Sequence, residues 1–373
     1  MTTKIDRRPA APIDAVFAPG GEFTVGAEEE LLLVDDNGQL LATSRDALVA
    51  ALAGTAGSKV TQELFGAEIE FATAVGRSGD EVACCLRDLR CALQAAGGRA
   101  MAVGVHPAGG FGDVALTKSP RYDEIGSSLA GLLRTPTAAL QVHVGIPDAE
   151  SAVAAMRGLR NQLSIFQALA CGSPYWHGRD SGLASARWAV VGSYPRGGVP
   201  PVFGSWEEYV VLADALAAAA EVEDDSWIWW DLRPRPRLGT LEVRVMDAQP
   251  SLAVVAGLVS LVQGLARSAV ERPSHLDIPT QVLAENDFRV ARHGLEARIV
   301  DVHGTMRPIR EIAVQAIKVA RETLAADGLD GPLSALDRLL DTEPEYDRQR
   351  RVHREHGMAG LLRDLAERTG VVT

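Results

Sequence analysis

Three consecutive glutamates interrupt an otherwise apolar, strand-like segment near the start of the chain. The run Glu28-Glu29-Glu30 lies within residues 22–34, where apolar and β-prone residues predict a strand. Side chains of a strand alternate between its two faces, so Glu28 and Glu30 share one face and Glu29 points to the other. An unpaired buried carboxylate is strongly destabilising, so core packing gives no reason for this pattern. Binding a cation would give one.

The same alternation recurs in three more segments, each with an apolar side and a side that carries polar or ionisable groups. The opposed sets are Ile69 and Phe71 against Glu68 and Glu70; Val142, Val144 and Ile146 against Gln141, His143 and Gly145; and Leu241, Val243 and Val245 against Glu242, Arg244 and Met246. Mg²⁺ and Mn²⁺ prefer carboxylate oxygens and bridge to substrate phosphates, so the acids favour a metal-dependent reaction on one sheet face. For any single glutamate, a solvated sheet face is the alternative.

Charge and size restrict the partners and the architecture. The net charge of −12 disfavours binding to nucleic acid or to an anionic membrane, both of which need clustered Lys and Arg. A local basic pocket for one nucleotide stays compatible with this charge. With 373 residues, 47% of them hydrophobic, the chain can form one large domain. We expect a flexible segment over residues 1–20 and a single domain over residues 21–373 whose C-terminal part is mostly helical.

The cysteines and the apolar segments bear on localisation. The four cysteines lack paired CxxC spacing, and three fall within one helical segment, which is typical of thiols in a reducing cytoplasm. No apolar core of signal-peptide length is found in residues 1–20. The longest apolar run, residues 252–265, is shorter than the ~18–20 residues of a membrane span and predicts a buried helix.

Local signals predict several further elements. Ser78 and Glu81 have the spacing of a capping box, which predicts a helix reaching Ala96. Residues 99–105 read as a strand, and Asp148 can cap one long helix that reaches Cys171. Residues 172–201 are rich in Gly, Ser, Pro and Arg, which is typical of a functional loop and makes this segment a candidate lid. No GxxxxGK[ST] motif occurs, so a P-loop fold is disfavoured.

Each remaining candidate site residue has a structural and a functional interpretation. Arg244, beside Glu242, can form an ion pair or hold a phosphoryl group with its fork of donors. His143 can be a structural histidine or a ligand. In the loop, Arg179 and Arg187 can bind anions or simply be solvated. The tryptophans can pack in the core or stack on an adenine, and they are Trp227, Trp229 and Trp230.

Six motifs, in order along residues 23–298 and slightly beyond, carry a family resemblance. They are VGAEEELLLVD, ELFGAEIEFAT, QVHVGIPD, SPYWHGRDSGLAS, TLEVRVMDAQ and ENDFRVARHGLEARIVD. Each motif alone is weak, but six in register are specific. The chain resembles the carboxylate-amine ligase family of the glutamate-cysteine ligase 2 type, which is related to bacterial glutamate-cysteine ligases.

This resemblance implies an α+β fold like that of glutamine synthetase, in which a curved, mainly antiparallel sheet forms a funnel backed by helices. The funnel would hold ATP, Mg²⁺ or Mn²⁺, an amino acid or other carboxylate, and an amine acceptor, in a cytoplasmic homodimer or larger homo-oligomer. Arg244 would face the γ-phosphate, and His143 would lie in the metal or substrate shell. Glu63 is a further acidic position, and Arg179 and Arg187 would contact nucleotide or carboxylate. The implied metal ligands are Glu28, Glu30, Glu70 and Glu242.

The resemblance implies ATP-dependent formation of an amide, γ-glutamyl in type, through an acyl phosphate. Two alternatives stay open: phosphoryl transfer to a guanidino nitrogen, and a non-catalytic protein that binds an amino acid or nucleotide. Two residues depart from the family pattern, because Glu68 stands where a Gln is expected and Gln141 where a His is common. Both could change the charge near the amine pocket, which puts cysteine as the second substrate in doubt.

Overall fold

A computed structural model describes residues 17–42 and 45–370 of the chain. In chain order, its strands are β1 (Val25–Leu33), β2 (Lys59–Gln62), β3 (Glu68–Ala72), β4 (Ala100–Met101), β5 (Ala139–Gly145), β6 (Tyr175–Trp176), β7 (Arg179–Asp180), β8 (Gly197–Gly198), β9 (Trp229–Trp230), β10 (Leu232–Arg235), β11 (Thr240–Asp247), β12 (Arg298–Val300) and β13 (Met306–Pro308). Seven of them form one antiparallel sheet in the order β10-β11-β5-β1-β3-β2, with β4 beside β1.

Twelve α-helices accompany these strands. They are α1 (Asp46–Leu52), α2 (Gly79–Ala95), α3 (Pro120–Leu129), α4 (Ala149–Arg160), α5 (Leu163–Ala170), α6 (Ala186–Val191), α7 (Trp206–Ala220), α8 (Leu252–Glu271), α9 (Thr280–His293), α10 (Ile309–Leu324), α11 (Ser334–Asp341) and α12 (Glu345–Thr369). Helices α2, α4, α5 and α8 pack on the apolar side of the sheet. By length and composition alone α8 could cross a membrane, but 72% of its apolar window is buried inside the protein, where it also packs on α10.

The sheet order places side by side the four strands whose polar residues alternate with apolar ones. Strand β5 lies between β1 and β11, and β1 also pairs with β3. Glu30 is opposite Glu70, while His143 is opposite Glu242 on one side and Gly26 on the other. Because cross-strand partners share a face, their polar side chains gather on one surface. The predicted α+β fold with a mainly antiparallel sheet is confirmed.

Strand β11 contains a β-bulge that the alternation in the sequence does not reveal. Val243 pairs with Val142, but the next paired residue, Met246, pairs with Leu140. The extra residue shifts the phase of the strand, so Met246 is fully buried on the apolar side with Val243. The prediction that Met246 shares a face with Glu242 is therefore wrong.

Two element predictions differ from the structure because side chains bind distant backbone. The helix predicted from Asp148 to Cys171 is split at residues 161–162, where the Asn161 side chain bonds Leu276 O at 2.9 Å and Ile278 N at 3.1 Å. The strand predicted over residues 99–105 ends at Met101, because Ala102 N donates to Thr369 Oγ1 at 2.9 Å instead of to the sheet. The predicted N-cap is confirmed: Ser78 Oγ accepts from Glu81 N at the start of α2, and the Glu81 carboxylate accepts from Arg77 N at 2.7 Å.

Part of the segment predicted to be flexible packs on the sheet. Phe17 lies edge-to-face on Trp206 with centroids 5.2 Å apart, and Ala18 N donates to Pro236 O at 2.9 Å. The rest of that prediction, residues 1–16, lies outside the described residues. The four cysteines are free thiols.

Candidate functional site

A cavity of about 600 Å³ lies over the polar face of the sheet and has two oppositely charged sides. Its acidic lining residues are Glu28, Glu30, Glu63, Glu68, Glu70 and Asp231. Its basic lining residues are Lys59, Arg121, Arg187, Arg233, Arg235 and Arg244. Tyr122, Trp188, Tyr194 and Trp229 supply aromatic surface. A cavity with both signs of charge can hold cations and the anionic groups that those cations neutralise.

Glu28, His143 and Glu242 form a compact group of candidate metal ligands. One ligand atom from each lies within 4.8 Å of the others. The His143 ring is oriented by Thr240, whose Oγ1 lies 3.0 Å from Nδ1. Nε2 is buried, lies 3.3 Å from Glu28 Oε1, and is not aligned for a hydrogen bond with any partner. A divalent cation would satisfy this nitrogen, so the donor set fits one.

The second group of acids comes from β1, β3 and the turn between β2 and β3. Glu30 accepts from Ala139 N at 2.8 Å and from the Gln141 amide, and Glu70 accepts from Thr61 Oγ1 at 3.0 Å. Burial raises the pKa of Glu30 and raises that of Glu70 well above its usual value; Glu63 raises the latter further.

Glu63 lies in the same acidic group. Burial, together with Glu30 and Glu68, raises the pKa of Glu63 to about 8. Carboxylates that disfavour each other's ionisation in this way form a donor set that a hard divalent cation would stabilise.

Glu242 connects the acids to the arginines. It is fully buried, Arg233 Nε donates to its Oε2 at 2.8 Å, and Arg244 Nη1 donates to its Oε1. Burial opposes ionisation of Glu242, but Arg233 and Arg244 outweigh that effect and hold its pKa well below the usual range. Glu28 is similar on a smaller scale: burial opposes its ionisation, and the nearby His143 ring lowers its pKa.

The two departures from the family pattern have clear structural roles. Gln141 bridges the two sides of the cavity, because its amide donates to Glu30 and its Oε1 accepts from Arg244. Glu68 accepts backbone N–H bonds from Phe65 at 3.1 Å and Thr137 at 3.0 Å. Burial and the neighbouring Glu30 raise the pKa of Glu68 well above its usual value, which reduces the charge it brings to the cavity.

Some candidates from the sequence lie away from the cavity. Arg179 is exposed on β7 and is not among the residues that line it, whereas Arg187 is. Of the tryptophan group, Trp229 lines the cavity, while Trp227 and Trp230 are buried.

Strand β10 and the role of its arginines were not predicted from the sequence. Arg233 and Arg235 flank Pro234, and proline disfavours a strand assignment except at an edge, which is where β10 lies. The spacing of the two arginines, with one residue between them, was the available signal for a strand that presents both to one face.

The fold is shared with solved ligases. The crystal structure of glutamate–cysteine ligase from Francisella tularensis, in complex with AMP, superposes with a TM-score of 0.70 at 12% identity, covering 94% of this chain and 89% of that one. A bifunctional glutathione synthetase from Pasteurella multocida gives 0.68 at 12% identity over 93% of this chain and 52% of its own. At such identities the comparison establishes the fold class alone.

Sequence comparison then gives the family. The profile of glutamate–cysteine ligase family 2 matches residues 24–366. A Rubrobacter xylanophilus protein named "Putative glutamate--cysteine ligase 2-3" is 34% identical over 365 residues, which is 95% of this chain and 99% of the relative. A "Putative glutamate--cysteine ligase 2" from a Jannaschia species is 35% identical over 359 residues, 94% and 95% of the two chains. The chain belongs to glutamate–cysteine ligase family 2, and it is a carboxylate-amine ligase.

Proposed function

We propose that this enzyme uses ATP to activate a carboxylate as an acyl phosphate and then transfers the acyl group to an amine. The observation that carries the proposal is the divided cavity, in which the acids of β1 and β3 face the arginines of β10 and β11. Phosphoryl transfer needs positioning and charge stabilisation more than covalent help from the protein, and this cavity offers both.

Each side of the cavity has a part in the first step. Glu28, His143 and Glu242 would hold one Mg²⁺ or Mn²⁺, and Glu30 and Glu70 would hold another; such cations neutralise charge on the ATP phosphates. An oxygen of the substrate carboxylate attacks the γ-phosphorus, the bond to the β-phosphate oxygen breaks, and ADP leaves. Arg244 stabilises the charge on the transferred phosphoryl group.

The second step forms the amide. The amine nitrogen attacks the acyl carbon, the bond from that carbon to the phosphate oxygen breaks, and phosphate leaves while the nitrogen loses a proton. An acyl phosphate hydrolyses in water, so the depth of the cavity matters for yield. Aromatic side chains, including Trp188 and Trp229, line the cavity and would supply water-excluding wall around the intermediate.

Glutamate, through its γ-carboxylate, is the acid we propose, because the relatives carry names of glutamate–cysteine ligases. The amine is left to experiment. The four free cysteines agree with action in a reducing cytoplasm.

The test is release of ADP from ATP in the presence of Mg²⁺, glutamate and a panel of amines, with amide products identified by mass spectrometry. A matching acid and amine should stimulate ADP release and give an amide. One carboxylate oxygen of the acid should be missing from that amide because it leaves with the phosphate. A phosphorylated amine without an acid requirement would instead show guanidino-kinase-like transfer. If no acid and amine pair raises ADP release above background, the ligase reaction is rejected.

A further inference from the structure

Asp247, the last residue of β11, gathers three hydrogen bonds from the segment that follows α5. Its Oδ2 accepts from Gly172 N at 3.0 Å and from Ser173 Oγ at 2.7 Å, and its Oδ1 accepts from Ser185 Oγ at 2.9 Å. The carboxylate is buried, and all three donors belong to the long segment predicted as a lid. Near Asp247 this segment is therefore hydrogen-bonded to the end of β11.

The bulge in β11 determines which side of the sheet Asp247 reaches. Glu242 is opposite His143 and Asp247 is opposite Ala139, and these two positions of β5 lie on the same face. In a regular strand, the odd separation of Glu242 and Asp247 would place them on opposite faces, and the bulge brings them to the same face. The bulge thus places a buried carboxylate on the cavity face of the sheet, beside the residues that line the cavity.

The contacts of Asp247 continue to Arg187. Ser173 Oγ, which donates to Asp247, accepts the backbone N–H of Arg187 at 3.3 Å. The Arg187 guanidinium donates to Val245 O at 3.3 Å and to Arg244 O at 3.1 Å, two carbonyls within the bulge. The side chain lines the cavity, and within the described residues its buried Nε has no hydrogen-bond partner. Arg187 is therefore held at its backbone and at both Nη atoms, and its Nε N–H is left for another group.

We propose that Asp247 is a positioning residue that fixes Arg187, and that Arg187 binds an oxyanion of a substrate. Guanidinium groups bind carboxylate and phosphoryl oxygens by the same charge-assisted hydrogen bonds. The kinetics of Arg187→Ala distinguish the two oxyanions. An increase in KM for the acid identifies the carboxylate, and an increase in KM for ATP identifies the phosphate. This inference rests on the proposed function for its substrate, but the tether itself can be measured without turnover.

The tether is tested by hydrogen–deuterium exchange. In Asp247→Asn, the amides of residues 172–187 should exchange faster than in the wild type, because a neutral amide cannot accept from all three donors. Asp180→Asn is the matched control, since Asp180 ties the exposed side of the same segment to Arg350 at 2.8 Å and 3.0 Å. If Asp247→Asn does not fold, Ser173→Ala removes the connecting hydroxyl and takes its place. Wild-type exchange at Arg187 in the folded variant overturns the tether, whether or not ligase activity is found.

The catalytic consequence is tested by a double-mutant cycle. Asp247→Asn should lower kcat/KM roughly tenfold to a hundredfold, as expected for a displaced binding group, while Asp180→Asn keeps the wild-type value. In an Arg187→Ala background, Asp247→Asn should have less than about twofold further effect, because the residue it positions is gone. Full additivity of the two changes would show that Asp247 acts independently of Arg187 and would overturn the positioning role. Absence of any turnover in the wild type would instead count against the proposed function, and exchange would still report the tether.

Discussion

Arg233 on β10 and Glu242 on β11 are direct cross-strand partners, and Arg233 Nε donates to Glu242 Oε2 at 2.8 Å. Both side chains are buried, and Arg244 binds the second carboxylate oxygen. A buried carboxylate is tolerated only while the arginines that pair with it stay in place. This contact therefore joins the pairing of two strands to the charge balance of the cavity.

Removing the Arg233 side chain should destabilise the protein. Arg233→Met is expected to lower the free energy of unfolding by about 3–5 kcal/mol, because Glu242 then loses its strongest counter-charge inside the core. Arg233→Lys should recover part of this, since the charge stays while the fork of donors is lost. Urea-induced unfolding followed by circular dichroism measures both. A midpoint for Arg233→Met equal to that of the wild type would rule out this role.

Neighbouring glutamates should give opposite phenotypes when each is changed to glutamine. Glu28 lines the cavity beside His143, whereas Glu29 lies on the other face and accepts from Arg90 Nε at 3.0 Å and Nη2 at 2.5 Å. Glu28→Gln should weaken Mn²⁺ binding roughly tenfold or more with little change in stability. Glu29→Gln should leave Mn²⁺ affinity unchanged and cost about 3 kcal/mol, because Arg90 becomes an unpaired buried charge.

Titration calorimetry with Mn²⁺ and urea unfolding distinguish the two variants, and each serves as the control for the other. Equal loss of Mn²⁺ affinity in both would mean that the cation site is not confined to the cavity face. Unchanged affinity in Glu28→Gln would remove Glu28 from the proposed ligands.

Asp287 should make stability fall as pH rises. Burial raises the pKa of Asp287 to about 8, and the neighbouring Asp231 contributes. In the unfolded chain this carboxyl ionises near ~3.9. Between these values the folded state binds more protons, so the contribution is complete below the lower pKa and is lost as pH rises through the higher one.

Asp287→Asn should flatten this dependence. The asparagine carbonyl can still accept from Ser164 Oγ, which lies 2.6 Å from Asp287 Oδ1 in the native protein. Burial also raises the pKa of Asp231 to about 6 and that of Glu63 to about 8, so part of the slope should persist in the variant. Urea unfolding at about pH 5 and about pH 7.5 measures the difference. An equal decline in both proteins would assign the slope to other groups.

Gln141 should matter for catalysis more than for stability. Its amide bridges Glu30 and Arg244, so Gln141→Leu leaves both groups without this partner and free to shift. We expect kcat/KM for ADP release to fall roughly tenfold to a hundredfold. Steady-state kinetics with the best substrate pair provide the measurement. Activity within about twofold of the wild type would show that the bridge is dispensable.

Much of the sheet was predictable from the sequence because the alternation of side chains along a strand is a local pattern. Alternation on β1, β3 and β5 identified which side chains share a face, and Ser78 marked the start of α2. Glu28, Glu30 and Glu70 meet in one cavity because their strands are neighbours, and the order of the strands was not predicted from the sequence.

What the sequence did not reveal depends on contacts between distant residues or on a change of phase. Arg90 on α2 pairs with Glu29 on β1 across the helix–sheet interface, and no local sequence pattern predicts such a pair. The bulge in β11 moved Met246 into the core, and proline at 234 concealed an edge strand and the arginines beside it. Of the two strands that carry arginines into the cavity, only β11 was therefore predicted from the sequence.

The bulge also limits how this enzyme can change in length. Deleting one residue between Val243 and Met246 would give an uninterrupted ladder in which Asp247 stays opposite Ala139, but it would remove the bulge whose Arg244 and Val245 carbonyls accept from Arg187. Surface loops tolerate insertions and deletions, whereas this deletion would remove contacts that hold Arg187. Homologues and redesigned variants should therefore keep the spacing from Glu242 to Asp247 even where the residues between them differ.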